Sequence, residues 1–111
     1  MMDIIHDGQT IPMLDPKSVN ARLRYRFRVD GLAEGETITS YSFWVNGQEF
    51  NSVDDVIDGL KFEATDSDLG DEAWLELSAG TLNKTYLITF RYSTPLVPLQ
   101  EQSVKLPVRR V

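Results

Sequence analysis

The chain has 111 residues, no cysteine, and 17 acidic against 11 basic side chains, for a net charge of −6. This length suits a single domain able to bury about 65% of the surface of its unfolded chain, and the lack of cysteine excludes disulfides and thiolate chemistry. An isoelectric point near 4.6 argues against nucleic acid as a partner, and no apolar run is long enough to cross a membrane as a helix.

Residues 1–19 read as an extended N-terminal arm, leaving 20–111 for the folded body. Gly8, Pro12 and Pro16 break any helix, and each proline pushes the residue before it toward extended backbone. The start, Met1-Met2-Asp3-Ile4-Ile5-His6-Asp7, has neither the basic nor the apolar region of a secretory signal. Ile4, Ile5, Ile11, Met13 and Leu14 make the arm more apolar than a disordered tail. It is therefore expected to pack, on its own body or on a neighbouring subunit, with Ile11, Met13 and Leu14 as candidate interface residues. His6, the only histidine, has no nucleophile or carboxylate that spacing pairs with it and reads as a surface residue.

The first predicted strand, residues 22–29, alternates arginine with apolar side chains. A β-strand alone places every second residue on one face. Leu23, Tyr25, Phe27 and Val29 should line a core, and Arg22, Arg24, Arg26 and Arg28 should stand in a row on the opposite face. Neighbours in such a row lie about 6.7 Å apart and repel by only ~0.6 kcal/mol in water before screening. The row can therefore be solvated surface, can pair with acids of an adjacent strand such as Glu36, Glu49 or Glu63, or can form an interface with an acidic neighbour.

A loop from 32 to 36 containing Gly35 leads to a strand over 37–45, rich in β-branched and aromatic residues. Asn46-Gly47 is the strongest hairpin signal in the chain. Residues 49–53 suit a short return strand, 54–59 a helical turn or a loop, and 60–64 an alternating strand. The acidic stretch 66–72 lacks the spacing of a calcium loop and reads as a solvated turn. A strand over 73–77 follows, with Trp74 expected in the core, and Ala79-Gly80 makes the next turn. From 85 to 92 the alternation is clean: Tyr86, Ile88, Phe90 and Tyr92 share one face, Leu87, Thr89 and Arg91 the other. Pro95 and Pro98 end this strand, and 102–108 forms the last, with Val104, Leu106 and Val108 inward. Pro107 lacks an N–H donor, which marks an edge strand or one ending near Leu106.

About seven short strands, turn signals at roughly 8–12-residue spacing and no 3.6-residue period predict an all-β fold: an immunoglobulin/fibronectin-III-like antiparallel β-sandwich with an extended N-terminal arm. Tyr86, at the start of the penultimate strand, stands where such sandwiches carry a tyrosine corner, its hydroxyl bonding to nearby backbone. No phosphate loop, zinc-ligand pair or catalytic set appears, so neither enzymatic activity nor a metal or cofactor is expected.

The order of Asp15-Pro16, Tyr25-x-Phe27, Gly35-Glu36-Thr37-Ile38, Ser42-x-Trp44, Trp74-Leu75-x-Leu77-Ser78-Ala79-Gly80-Thr81, Tyr86-x-Ile88-Thr89 and Val104-x-Leu106-x-Val108 resembles a family of small virion proteins of tailed bacteriophages, the fibre–tail adaptor or neck/tail β-sandwich proteins. The likeness covers most of residues 15–108. The chain departs from the family in Ser78-Ala79-Gly80-Thr81, where a second glycine is usual, and in Pro95-Leu96-Val97-Pro98, where Gly-Arg and acidic residues are usual. The resemblance implies a non-enzymatic virion protein that links tail or neck components to fibres or to neighbouring subunits, in a symmetric homo-oligomeric ring, with no nucleic acid or membrane partner. The alternative is a free-standing module for a carbohydrate or cell-surface ligand, which needs exposed aromatics such as Tyr41, Trp44 or Tyr92.

Overall fold

The computed structural model describes residues 2–5, 11–29, 32, 34–68, 70–96 and 98–110. His6 and the Asp30-Gly31 pair lie outside the described residues. The elements are all strands: β1 (Met2–Ile5), β2 (Leu23–Arg28), β3 (Ser40–Val45), β4 (Gln48–Glu49), β5 (Val56–Ile57), β6 (Leu60–Asp68), β7 (Glu72–Ala79), β8 (Thr85–Ser93) and β9 (Gln100–Pro107).

They form two sheets, ordered β1-β2-β7-β6-β5 and β4-β3-β8-β9. Apart from β1, which lies parallel on β2, the strand pairs are antiparallel. The chain changes sheet between β2 and β3, between β4 and β5, and again between β7 and β8. This is the Greek-key connectivity of an immunoglobulin-like sandwich.

Alternation decides the core. Tyr25 and Phe27 of β2, Phe43 and Val45 of β3, Leu75 and Leu77 of β7, Tyr86, Ile88, Phe90 and Tyr92 of β8, and Val104 and Leu106 of β9 are all buried. At its centre Phe27, Phe43 and Phe90 stand with ring centroids 5.2–5.5 Å apart. Burying side chains of this size contributes about 1.5–3 kcal/mol each.

Three expectations are corrected. Leu23 is exposed at 39%, because it begins β2 at the rim of the sandwich. Trp74 is only half-buried and faces outward, since Ala73, Leu75 and Leu77 take the inward positions of β7. The acidic stretch is not a turn from end to end, because β6 runs on to Asp68 and β7 begins at Glu72. The undecided stretch 54–59 holds no helix: a bend leads into β5, and the positive φ of Asp58 (52°) and Gly59 (90°) suits the tight hairpin to β6.

The arm folds onto the body. β1 covers the outer edge of β2, and the chain then runs parallel to β9, with bridges Met13↔Lys105 and Lys17↔Val108. Leu14 is buried in this chain's own core, whereas Ile11 and Met13 are exposed at 49% and 60%. Of the three expected interface residues in the arm, Leu14 is therefore a core residue.

Candidate functional site

The outward face of β2, β7 and β6 carries the arginine row. Register sets Arg24 opposite Glu76, Arg26 opposite Trp74 and Arg28 opposite Glu72. Glu76 accepts from both Arg22 and Arg24, the latter at 3.0 Å. These hydrogen bonds, that of Arg22 first, hold the Glu76 carboxyl below its ordinary value. Glu72, buried at the end of β7, faces the Nε of Arg26 at 3.3 Å and that of Arg28 at 3.7 Å. Arg22 also lies 3.8 Å from Glu63, which is shared with Lys61. The Arg24 guanidinium covers the Trp74 ring, 3.8 Å from its centroid, a contact worth about 0.5–1 kcal/mol at a half-exposed site.

The row thus meets acids of its own chain. Of the acids expected from sequence, Glu63 takes part, whereas Glu36 instead accepts from Thr94 and Glu49 lies on β4 in the other sheet. The principal partners, Glu72 and Glu76, were missed by the sequence reading; the signal for their face was the alternation Glu72-x-Trp74-x-Glu76.

The opposite face, built on β3, β8 and β9, has a different chemistry. Register lines up three outward rows: Ser42, Arg91 and Glu101; Trp44, Thr89 and Ser103; then Leu87 and Lys105. Arg91 stacks over Trp44 at 4.0 Å and pairs with Glu101 at 2.6 Å. The Thr89 and Ser103 hydroxyls are hydrogen-bonded at 2.9 Å, and the Trp44 indole donates to Ser42. A shallow cavity of about 260 Å³ opens between Trp44, Arg91, Ser93 and Leu99. Tyr92 is buried, Tyr41 packs edge-on against Phe43, and Arg91 covers one face of Trp44. The aromatics that a sugar platform requires are therefore largely engaged within the chain.

One buried cation was missed by the sequence reading. Lys17 is fully buried and donates to the carbonyls of Ser18 (2.8 Å) and Ala79 (2.6 Å). Burial lowers its pKa. The ammonium ties the arm to the β7–β8 turn, a structural task rather than a chemical one.

No known family, curated protein or solved structure matches this chain.

Proposed function

We propose that this chain is a non-enzymatic structural protein of a tailed-bacteriophage virion that joins tail or neck components to fibres or neighbouring subunits through protein–protein contacts. The observation that carries the contact reading is the exposure of large apolar side chains on a small sandwich: Ile11 and Met13 on the arm, and Leu96 and Leu99 at 70% and 61% in the loop between β8 and β9. Contiguous exposed apolar groups mark interaction sites, and Ile11 with Met13, and Leu96 with Leu99, are near neighbours in the chain. Tyr86, Lys17 and Glu76 are spent on holding elements together.

The virion assignment is supported by the family resemblance. Its motif residues Tyr25, Phe27, Leu75, Leu77, Tyr86, Ile88, Val104 and Leu106 are the inward wall of the sandwich, so the likeness is one of fold, and fold alone does not fix function. Mass spectrometry of purified particles tests it: the chain is expected among the virion proteins, and its absence from particles overturns the reading.

A further inference from the structure

We infer that the outer edge of β6 beyond Phe62 takes an added β-strand from a partner protein, an extended segment in which apolar and basic side chains alternate. This contact is additional to the exposed apolar residues named above, lies at the margin of the sandwich opposite the arm, and is independent of the virion assignment.

Three observations converge on this edge. The first is its vacant backbone. β6 runs over Leu60–Asp68, but β5 covers only Leu60 and Lys61, and the chain before β5 bonds no further along than Phe62. Beyond Phe62, no strand among the described residues lies on this side of β6. The backbone N–H of Ser67 donates instead to the carboxylate of Asp66, at 2.8 Å. A neighbouring side chain thus stands in for the carbonyl that a further strand would supply. Extended peptides bind sheet edges by supplying such carbonyls, with pockets for alternate side chains giving specificity.

The second is a cleft of about 250 Å³ just inside this edge, between the two sheets, lined by Tyr41, Phe43, Phe50, Phe62 and Thr65. Phe50 and Phe62 pack together in it, ring centroids 5.0 Å apart. Thr65 shares the inward face of its sheet with its partner Leu75. Residues directly opposite on paired strands share a face, so the residue set beside Thr65 by an added strand turns into the cleft. The aromatic lining suits an apolar side chain there.

The third is charge. Residues 63–68 hold Glu63, Asp66 and Asp68 and no base. Asp66 is paired with the outward Trp74 and is exposed, and Glu49, which also lines the cleft, is exposed. Neither meets a basic side chain among the described residues. Opposite charges stabilise a cross-strand pair and like charges oppose it. A lysine or arginine is therefore favoured beside Asp66, and a second copy's β6 is disfavoured, because it would bring acid to acid. The bulge between Phe62 and Ala64 works against the same self-pairing.

Titration of the whole chain with a short synthetic peptide of alternating valine and lysine tests this, read by amide hydrogen exchange. Binding is expected, with new protection at the Ser67 amide. The same peptide with N-methylated backbone amides, with glutamate in place of lysine, or with serine in place of valine should bind at least about tenfold more weakly. These comparisons use the native chain, so none depends on a variant folding. Glu49→Lys combined with Asp66→Lys should weaken the native peptide about tenfold, whereas Glu101→Lys, on β9 of the other sheet, should leave it unchanged; melting curves show that both remain folded. Absence of binding at millimolar peptide overturns the inference, as does binding that survives N-methylation or protection confined to strands other than β6. None of these results bears on whether the chain is found in particles.

Discussion

The hydroxyl of Tyr86 donates a 2.6 Å hydrogen bond to the carbonyl of Asp58 and accepts one of 2.8 Å from the backbone N–H of Thr81. The tyrosine corner expected at the start of β8 therefore joins two loops: the β7–β8 turn that precedes it and the β5–β6 hairpin. Tyr25 is the opposite case. Its hydroxyl is buried with no hydrogen-bond partner among the described residues, and burial pushes the phenol up to about 12.

The two tyrosines should respond with opposite signs. Tyr86→Phe takes this partner from the Asp58 carbonyl and the Thr81 N–H, both in part-buried bonds, and is expected to cost about 1–2 kcal/mol in urea unfolding. Tyr25→Phe removes an unsatisfied group and should be neutral or stabilising by up to about 1 kcal/mol. A linked pH effect follows. The raised phenol means that the unfolded chain loses this proton first, so native stability falls as pH rises from the ordinary value of 10.0 toward about 12. Tyr25→Phe should abolish that part of the alkaline decline, which melting curves at alkaline pH would show.

Lys17 makes the second prediction. Lys17→Ala removes a buried aliphatic stem as well as two hydrogen bonds, and should cost about 2–4 kcal/mol. Lys17→Met keeps the stem and should cost less. Because burial lowers the lysine pKa, the unfolded chain binds more protons than the native one between the lowered value and 10.5. Native stability relative to Lys17→Met should therefore climb with pH through that window. A flat difference between the two proteins would remove the buried ammonium from the account.

Glu76 runs the other way. Its lowered pKa means that its contribution is complete above the ordinary carboxylate value of 4.5 and is lost as pH falls through the lowered value. Glu76→Gln should lower the melting temperature by a few degrees at neutral pH, with the gap closing in acid. An equal gap at neutral and strongly acidic pH would mean that shape, not charge, is what Glu76 supplies.

Removal of residues 1–10 is the fourth test. Leu14 and Lys17 remain to close the core, so the shortened chain should fold, with a lower melting temperature because β2 loses its parallel neighbour. Removal of residues 1–17 should be far more damaging, since it also withdraws Leu14 and the lysine tie to Ala79. Similar melting for the two truncations would contradict the role given to that tie.

The sandwich was legible in the sequence because alternation reports faces directly: Tyr25 and Phe27, or Tyr86 to Tyr92, declare their side by parity alone. Trp74 shows where parity should have overruled size, since it shares its face with Glu72 and Glu76. Lys17 was beyond reach, because its burial depends on a carbonyl 62 residues away. The pairing of arginines was open for the same reason: alternation gives the face, while only register across strands gives the partner.

The arm's path has one more consequence. By lying first on β2 and then beside β9, it lines a long sheet margin of each sheet on its side of the sandwich, whereas on the other side β5 and β4 pair with only Leu60–Lys61 of β6 and Trp44–Val45 of β3. Strand addition needs a long row of vacant backbone groups as its template, and here the arm has taken that place. Along the covered stretches of β2 and β9, a neighbour must therefore be recognised by side chains rather than by strand addition to those strands.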